Sequence, residues 1–283
     1  MRERSQLFDP RQIMQSDTFE VFHYREPRAN SVEVHHHDFY EIYYLLSGNV
    51  DYWVDGRIIH MQPGDLLLIN PMELHRPILE QGMVYERFVL WINKEFLESI
   101  SAAERLDQCF DTAAPGHTHL IRAGQSERTA LRTRLAELVR ESYSRNFGSS
   151  ISAYGLFLQF MVQVNRLAKH TQSLEEAEQR SALVQKTMQY IGEHLAEPMS
   201  LEQLAAACYV SKYPVSHAFS REVGISIYRY IMLRRLLLAR QLLTQGESAK
   251  QVCRSCGFAD YTSFYRAFKS EYGISPGQFV AGS

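Results

Sequence analysis

Three histidines and one carboxylate are placed where they could do chemistry together: His35, His37, Glu41 and, further along, His75. Side chains of a strand alternate between its faces, so His35, His37, Glu41 and Tyr43 are expected on one side of a single strand. Imidazoles with a carboxylate suit a divalent transition metal that keeps open coordination positions. The same groups suit a pocket that hydrogen-bonds a small polar molecule, and a third reading makes them structural polar residues. Tyr43 and Trp91 add aromatic faces able to stack on a sugar ring or to fill a core. Cys253-Arg-Ser-Cys256 has the spacing of a reactive or metal-binding pair. No second pair accompanies it, so buried core is the better expectation.

The elements that carry the histidines read as strands. Residues 1 to about 110 contain short apolar runs, Glu41 to Leu46 and Asp65 to Ile69, bounded by Ser47-Gly48-Asn49, Pro63-Gly64 and Asn70-Pro71. Val50 to Asp55 followed by Gly56 has the form of a hairpin arm and its turn. A barrel or sandwich is expected. After Gly124 the period becomes helical, with Leu131, Leu135, Leu138, Val139 and Tyr143 in step. Gly148-Ser-Ser150 interrupts, and Ile151 to Leu167 predicts a second helix, apolar on more than one side. Such a helix needs cover from its own barrel, from a second subunit, or from both.

The last hundred residues contain an internal repeat. Ser200 to Val210 aligns with Ser248 to Phe258, and Val215 to Ser226 with Phe264 to Ser275. Leu204/Val252, Val210/Phe258, Val215/Phe264 and Phe219/Phe268 are the shared apolar positions, and both copies end in Gly-Ile-Ser. Each copy reads as helix, tight turn, helix. Ser200 and Ser248 are expected to cap the first helices, and Ser211 and Asp260 the second. Gly257 supplies a left-handed turn residue where the first copy has Tyr209, a strained choice. Between the copies, Ser226 to Thr244 predicts one long helix with Tyr230, Leu233, Leu237 and Leu238 as its apolar stripe. This is the layout of a pair of helix-turn-helix units on one strut, able to address one face of DNA.

Charge agrees with that division. Residues 182–283 hold eleven Lys and Arg against seven Asp and Glu, a balance of +4, which leaves −6 for the remainder of a chain of net charge −2. A basic end on an acidic body fits a polyanionic partner for one part only. At 283 residues, 45% hydrophobic and 22% charged, the chain has the composition of a soluble protein of two domains. Four cysteines make no disulfide framework. No apolar run suffices to span a bilayer, and the opening MRERSQLFDP lacks a signal-peptide core, so a cytoplasmic protein without membrane contact is expected.

Over Thr187 to Val280 the chain closely resembles the AraC/XylS family of transcription regulators. The resemblance is carried by Ala239-Arg-Gln-Leu-Leu243, Gly257-Phe-Ala-Asp-Tyr-Thr-Ser-Phe264, Phe268-Lys269 and Gly273-Ile-Ser-Pro276. It implies that Lys212, Tyr213, Ser216, His217 and Arg221 face DNA from the first recognition helix. Tyr261, Thr262, Tyr265, Arg266 and Lys269 would face it from the second. The first unit departs from the pattern at Tyr209, Pro214 and His217. Arg266, between Phe264 and Phe268, is the expected reader of guanine. His35-His-His-Asp-Phe-Tyr-Glu41 with Gly48 resembles the first cupin motif, and Gly64-Asp65 to Pro71 with His75 resembles the second loosely, with Glu73 at a usual glycine.

The expected fold is an all-β cupin-like barrel with following helices, then an all-α domain of two helix-turn-helix units joined by a long helix. Its parts are an arm (1–20), an effector-binding domain (21–122), a helical packing or dimerisation segment (123–170), a linker (171–181) and the DNA-binding domain (182–283). The resemblance implies a homodimeric activator rather than an enzyme. Its partners would be double-stranded promoter DNA, RNA polymerase and a small effector such as a sugar, bound by His35, His37, Glu41, Tyr43, His75 and Trp91. No cofactor is expected, a metal on His35, His37, Glu41 and His75 being the alternative. The competing function is a metal-dependent cupin enzyme fused to a DNA-binding domain.

Overall fold

The computed structural model describes residues 13–26, 32–80, 83–101, 104–112, 118–170 and 182–282. Most of the expected arm and the linker 171–181 lie outside the described residues. The chain divides into two compact units, Met1–Glu178 and Gln179–Ser283.

The described residues of the first unit form eight strands: β1 (Phe19–Glu26), β2 (Tyr40–Ser47), β3 (Val50–Val54), β4 (Arg57–Met61), β5 (Asp65–Ile69), β6 (His75–Leu79), β7 (Tyr85–Ile92) and β8 (Leu120–Arg122). They form two antiparallel sheets, ordered β1-β7-β2-β5-β8 and β4-β3-β6. β2 has large residues at both parities and is buried on both faces. Tyr40, Ile42 and Tyr44 join a core with α2 (Gln125–Ser142) and α3 (Ser149–His170), while Tyr43 and Leu45 join the core inside the barrel. The helices close the outer face through Leu131, Leu135 and Leu138 on α2 and Phe157, Phe160, Met161 and Val164 on α3, each 0 or 1% exposed. Burial of such side chains contributes roughly 1.5–3 kcal/mol apiece.

Three local expectations are corrected here. His35 to Tyr43 is not one strand: β2 begins at Tyr40, and His35 instead forms an isolated bridge with His75. The third helix starts at Ser149 rather than Ile151, directly after Gly148 at φ +77°. A short helix, α1 (Lys94–Ile100), follows β7 in a region read as strands and turns. Asn93 caps it by accepting from the Phe96 N–H, and fully buried Leu97 anchors it.

The second unit is helical: α4 (Ala182–Glu193), α5 (Leu201–Ala207), α6 (Lys212–Val223), α7 (Ile227–Thr244), α8 (Ala249–Ser255), α9 (Tyr261–Tyr272) and α10 (Pro276–Gly282). The repeat is visible in its caps. Ser200 with Gln203 and Ser248 with Gln251 form reciprocal capping boxes at α5 and α8. Asp260 caps α9 by accepting from the Ser263 N–H, whereas Ser211 makes no side-chain bond to α6. Buried residues of α7 are Ile227, Tyr230, Ile231, Leu233, Leu236, Ala239 and Leu243; Leu237 and Leu238 of the expected stripe are only partly covered. Apolar residues crowd Leu236 to Leu238, so periodicity alone left the phase of the helix undetermined there.

The two turns differ in their tension. Gly257 has φ +75°, and a Cβ there would lie 2.8 Å from the backbone of Leu195 and Ala196. Tyr209 occupies the equivalent left-handed place at φ +58°, with the Lys186 ammonium 4.4 Å from its ring centre. A side chain in this conformation costs about 1–2 kcal/mol, and the cation over the ring offsets part of it. Gly257→Ala, which adds a backbone clash to the conformational strain, should lower stability by about 2 kcal/mol or more. Gly273→Ala, left-handed with nothing within 4 Å of the added carbon, should cost about 1 kcal/mol. Urea unfolding of the full chain, followed by helical circular dichroism, checks both; equal losses would remove the role given to the Leu195–Ala196 contact.

Candidate functional site

Inside the barrel, backbone pairing assembles the histidine cluster. His35 and His75 exchange N–H···O bonds of 3.0 and 3.1 Å, and the register of β2 with β7 sets Glu41 opposite Trp91. Each imidazole Nδ1 lies against a carbonyl two residues away: His35 on Glu33 O at 3.0 Å, His37 on Phe39 O at 2.9 Å, His75 on Glu73 O at 2.9 Å. A carbonyl only accepts, so each Nδ1 carries the hydrogen and Nε2 holds the lone pair of the neutral ring. Nε2 of His37 and of His75 stand 3.0 and 3.3 Å from Glu41 Oε2, and Trp91 Nε1 donates to Glu41 Oε1 at 2.6 Å. All three side chains of His37, Glu41 and His75 are fully buried.

Burial pushes His35 well down and His37 down, toward neutral imidazole. Burial alone would raise Glu41, but His37 and His75 hold its carboxyl below the usual range. A lone-pair nitrogen facing a carboxylate oxygen repels it unless a cation, a proton or a metal ion, stands between them. The donor atoms of His37, Glu41 and His75 lie within 4.8 Å of one another, so these three residues fit a divalent cation, with Nδ1–H bonds to carbonyls as the orienting outer contacts. His35 packs on His75, ring centroids 4.2 Å apart, beside that trio.

The two aromatics expected in a ligand pocket play different parts. Trp91 is covered by Phe22 and Phe39, ring centroids 4.8 and 4.9 Å away, and serves the cluster through its N–H. Tyr43 packs on Tyr52, whose hydroxyl meets that of Tyr85 at 3.2 Å. Glu73, at a glycine place of the cupin motif, binds the Asn70 N–H, the Asn70 amide and His119, closing a turn in which Met72 has φ +70°. Sequence reasoning passed over Arg87, which lines the same interior. Its signal was the alternation Tyr85, Arg87, Val89, Trp91 on β7, whose other members are buried.

In the helical unit the expected DNA-facing residues fall on the outer faces of α6 and α9. On α9, Tyr261, Thr262, Tyr265, Arg266 and Lys269 are exposed, while Phe264 and Phe268 between them are fully buried. On α6, Lys212, Tyr213, His217 and Arg221 are exposed and Ser216 partly so, with the Tyr213 and His217 rings stacked. Lys212 pairs with Glu202 at 2.9 Å and Arg221 with Glu222 at 3.3 Å, so α6 spends two cations on neighbouring acids. Cys253 and Cys256 are free and buried, and burial pushes the Cys256 thiol up to about 12, which suits core and not reactivity.

Comparison with known proteins adds independent observations. The profile of the AraC-like ligand binding domain matches residues 19–161, and that of a helix-turn-helix domain matches residues 204–282. The chain is 24% identical over 273 residues to the uncharacterized HTH-type transcriptional regulator YfiF of Bacillus subtilis, covering 94% of this chain and 85% of that protein. It is 25% identical over 254 residues to the HTH-type transcriptional activator RhaS of Salmonella arizonae, covering 89% and 88%. Among solved structures, ToxT from Vibrio cholerae aligns over 93% of this chain and 98% of its own at 14% identity and TM-score 0.40. The C-terminal domain of AraT from Geobacillus stearothermophilus aligns over 37% and 88% at 27% identity and TM-score 0.36.

Proposed function

Because the chain belongs to the AraC-type family of transcription regulators, with a ligand-binding domain ahead of a helix-turn-helix domain, we propose that it activates a promoter when the barrel holds a small polar effector such as a sugar. One observation carries the DNA-binding half: the exposed face of α9 between two buried phenylalanines. Arg266 reads a guanine there, Tyr261, Thr262 and Tyr265 contact bases or sugars, and Lys269 neutralises a phosphate. Lys212, Tyr213, Ser216, His217 and Arg221 of α6 form the second, weaker contact. Activation agrees with the printed name of the RhaS relative, and RNA polymerase is then a partner. We assign it to the cytoplasm, where promoter DNA lies; no described helix is long and apolar enough to cross a membrane.

Effector binding rests on the barrel interior. Glu41, His35, His37 and His75 supply polar atoms to hydroxyls, with Trp91 orienting Glu41 and Tyr43 shaping the wall. An effector alters transcription by binding one arrangement of the protein better than another. Pairing of two copies uses the outer side of α3, where Ile151 is 78% and Tyr154 37% exposed. The relatives are regulators, and the chain acts as one rather than as an enzyme. A second reading is favoured by the two Nδ1–H bonds that leave the Nε2 lone pairs of His37 and His75 facing Glu41: His37, Glu41 and His75 hold a divalent transition metal. Such an ion would supply a positive charge against Glu41 and a coordination position for a ligand oxygen.

Four measurements test these statements. Binding of the full chain to its operator should weaken steeply with salt, through counterion release. Arg266→Ala should cost about 1–3 kcal/mol and relax preference at one base position, while Lys269→Ala weakens all sequences alike. Uniform loss across a randomised site in Arg266→Ala would make it a phosphate contact. Operator should change effector affinity, and effector the operator affinity, by one common factor, typically 5- to 150-fold. Glu41→Ala and His75→Ala should abolish that response and leave effector-free DNA binding nearly intact; loss of DNA binding would unseat the division of labour. For the metal, elemental analysis after zinc or nickel loading should give one ion per chain, lost in His75→Ala. Loading unchanged in that variant would rule this site out.

A further inference from the structure

One charged group in the barrel is used neither by the DNA-facing helices nor by the histidine cluster. Arg87 sits on β7, opposite Tyr24 of β1 and Leu45 of β2, and shares the inward parity of Tyr85, Val89 and Trp91. Its side chain is 12% exposed. Nη2 donates to Glu26 Oε1 at 2.8 Å, and the guanidinium carbon lies 3.9 Å from the Tyr85 ring centre and 5.0 Å from that of Tyr24. Nε and Nη1 are shielded from water and meet no hydrogen-bond acceptor among the described residues. Buried donors left in this way cost free energy that an acceptor from outside the chain would recover.

The surroundings say which acceptor. A guanidinium has five N–H donors and no acceptor, so it matches a group that only accepts. Carboxylate and phosphate do so, with hydrogen bonds strengthened by charge. Glu26 already shows the match: its carboxylate takes the third nitrogen from the end of β1, with its side chain 40% exposed, where a ligand can join or displace it. The Tyr85 ring lies on the Arg87 guanidinium, its hydroxyl meets that of Tyr52 at 3.2 Å, and Tyr43 packs on Tyr52. Beyond them on the same inward face lies Glu41, an acceptor suited to hydroxyl donors.

We propose that the effector is an anionic sugar derivative, its carboxylate or phosphate held by Arg87 and its hydroxyls directed toward Glu41. This rests on the barrel being the effector site. It departs from a neutral sugar in requiring one anionic group.

Thermal shift and calorimetry on the full chain test it with matched probes: glucose and galactose against gluconate, galactonate, glucuronate, galacturonate and the two hexose 6-phosphates. At least one anion should bind ten-fold or more tightly than its neutral parent. The carboxylate and phosphate arms identify which anion Arg87 takes. Arg87→Met should remove the ten-fold preference while operator binding persists, and Arg87→Lys should restore part of it. Glu26→Gln, which leaves Arg87 in place and removes the competing carboxylate, should tighten the same anion several-fold, so the test stands even if Arg87→Met fails to fold. Equal binding of anion and parent, or a preference that survives in Arg87→Met, overturns the proposal. A neutral sugar bound in a manner sensitive to Glu41→Gln and indifferent to Arg87→Met overturns it while leaving the effector site where it is. No binding by any probe overturns it too, and the effector reading then stands or falls on the operator-coupled response of Glu41→Ala.

Discussion

β2 lies in the middle of the five-stranded sheet and is out of water on both faces. Its even-numbered residues need α2 and α3 as a lid, and its odd-numbered residues need the three-stranded sheet. From this follow the length and greasiness of α3, the placement of α2 after β8, and the closed interior. The same constraint decides where polar chemistry can sit. Glu41 is an odd-numbered residue, so it points into the closed side, where an ionised carboxylate survives only with partners.

Those partners come from separate parts of the chain. His37 precedes β2, His75 opens β6, and Trp91 lies near the end of β7. One buried carboxylate thus gathers three segments, and its own position depends on all of them. A ligand that takes over any of these bonds acts on the pairing of β2 and β7 and on the β6 segment at once. That is the physical basis for expecting a change there to be felt beyond the cluster. The polar end around Arg87 gathers others, the end of β1 through Glu26 and β3 through Tyr52.

Much of the helical unit was legible because its signals are local. A serine three residues before a glutamine, an aspartate before an aromatic run and a glycine after it name the ends of α5, α8 and α9 directly. Buried Phe264 and Phe268 then leave Arg266 only one face to occupy. The barrel was legible in part. His35, His37, Glu41 and His75 were grouped from a motif, yet their true assembly needs the His35–His75 bridge, a contact between segments distant in sequence. Trp91 was chosen for its ring and proves to act through its N–H. Arg87 was missed because one charged residue in a strand reads as solvent-facing unless the alternation of its neighbours is given more weight than its charge. The phase of α7 failed for the opposite reason, since Leu236 to Leu238 offer too many apolar residues rather than too few.

The close packing at Gly257 also bears on the geometry of the DNA. Arg235 of α7 donates to the carbonyls of Leu195 and Glu197 at 3.0 and 2.7 Å, and the backbone of Leu195 and Ala196 rests on Gly257. The segment after α4 therefore clasps the strut and the second turn together, while α4 itself packs on α5 and α6 of the first helix-turn-helix. Those contacts tie the two helix-turn-helix copies to one strut. One base pair added between its two contact sites turns the far site by about a tenth of a revolution and moves it about 3.4 Å. If α6 and α9 both engage one duplex, spacing between the half-sites becomes part of what is recognised, alongside the bases.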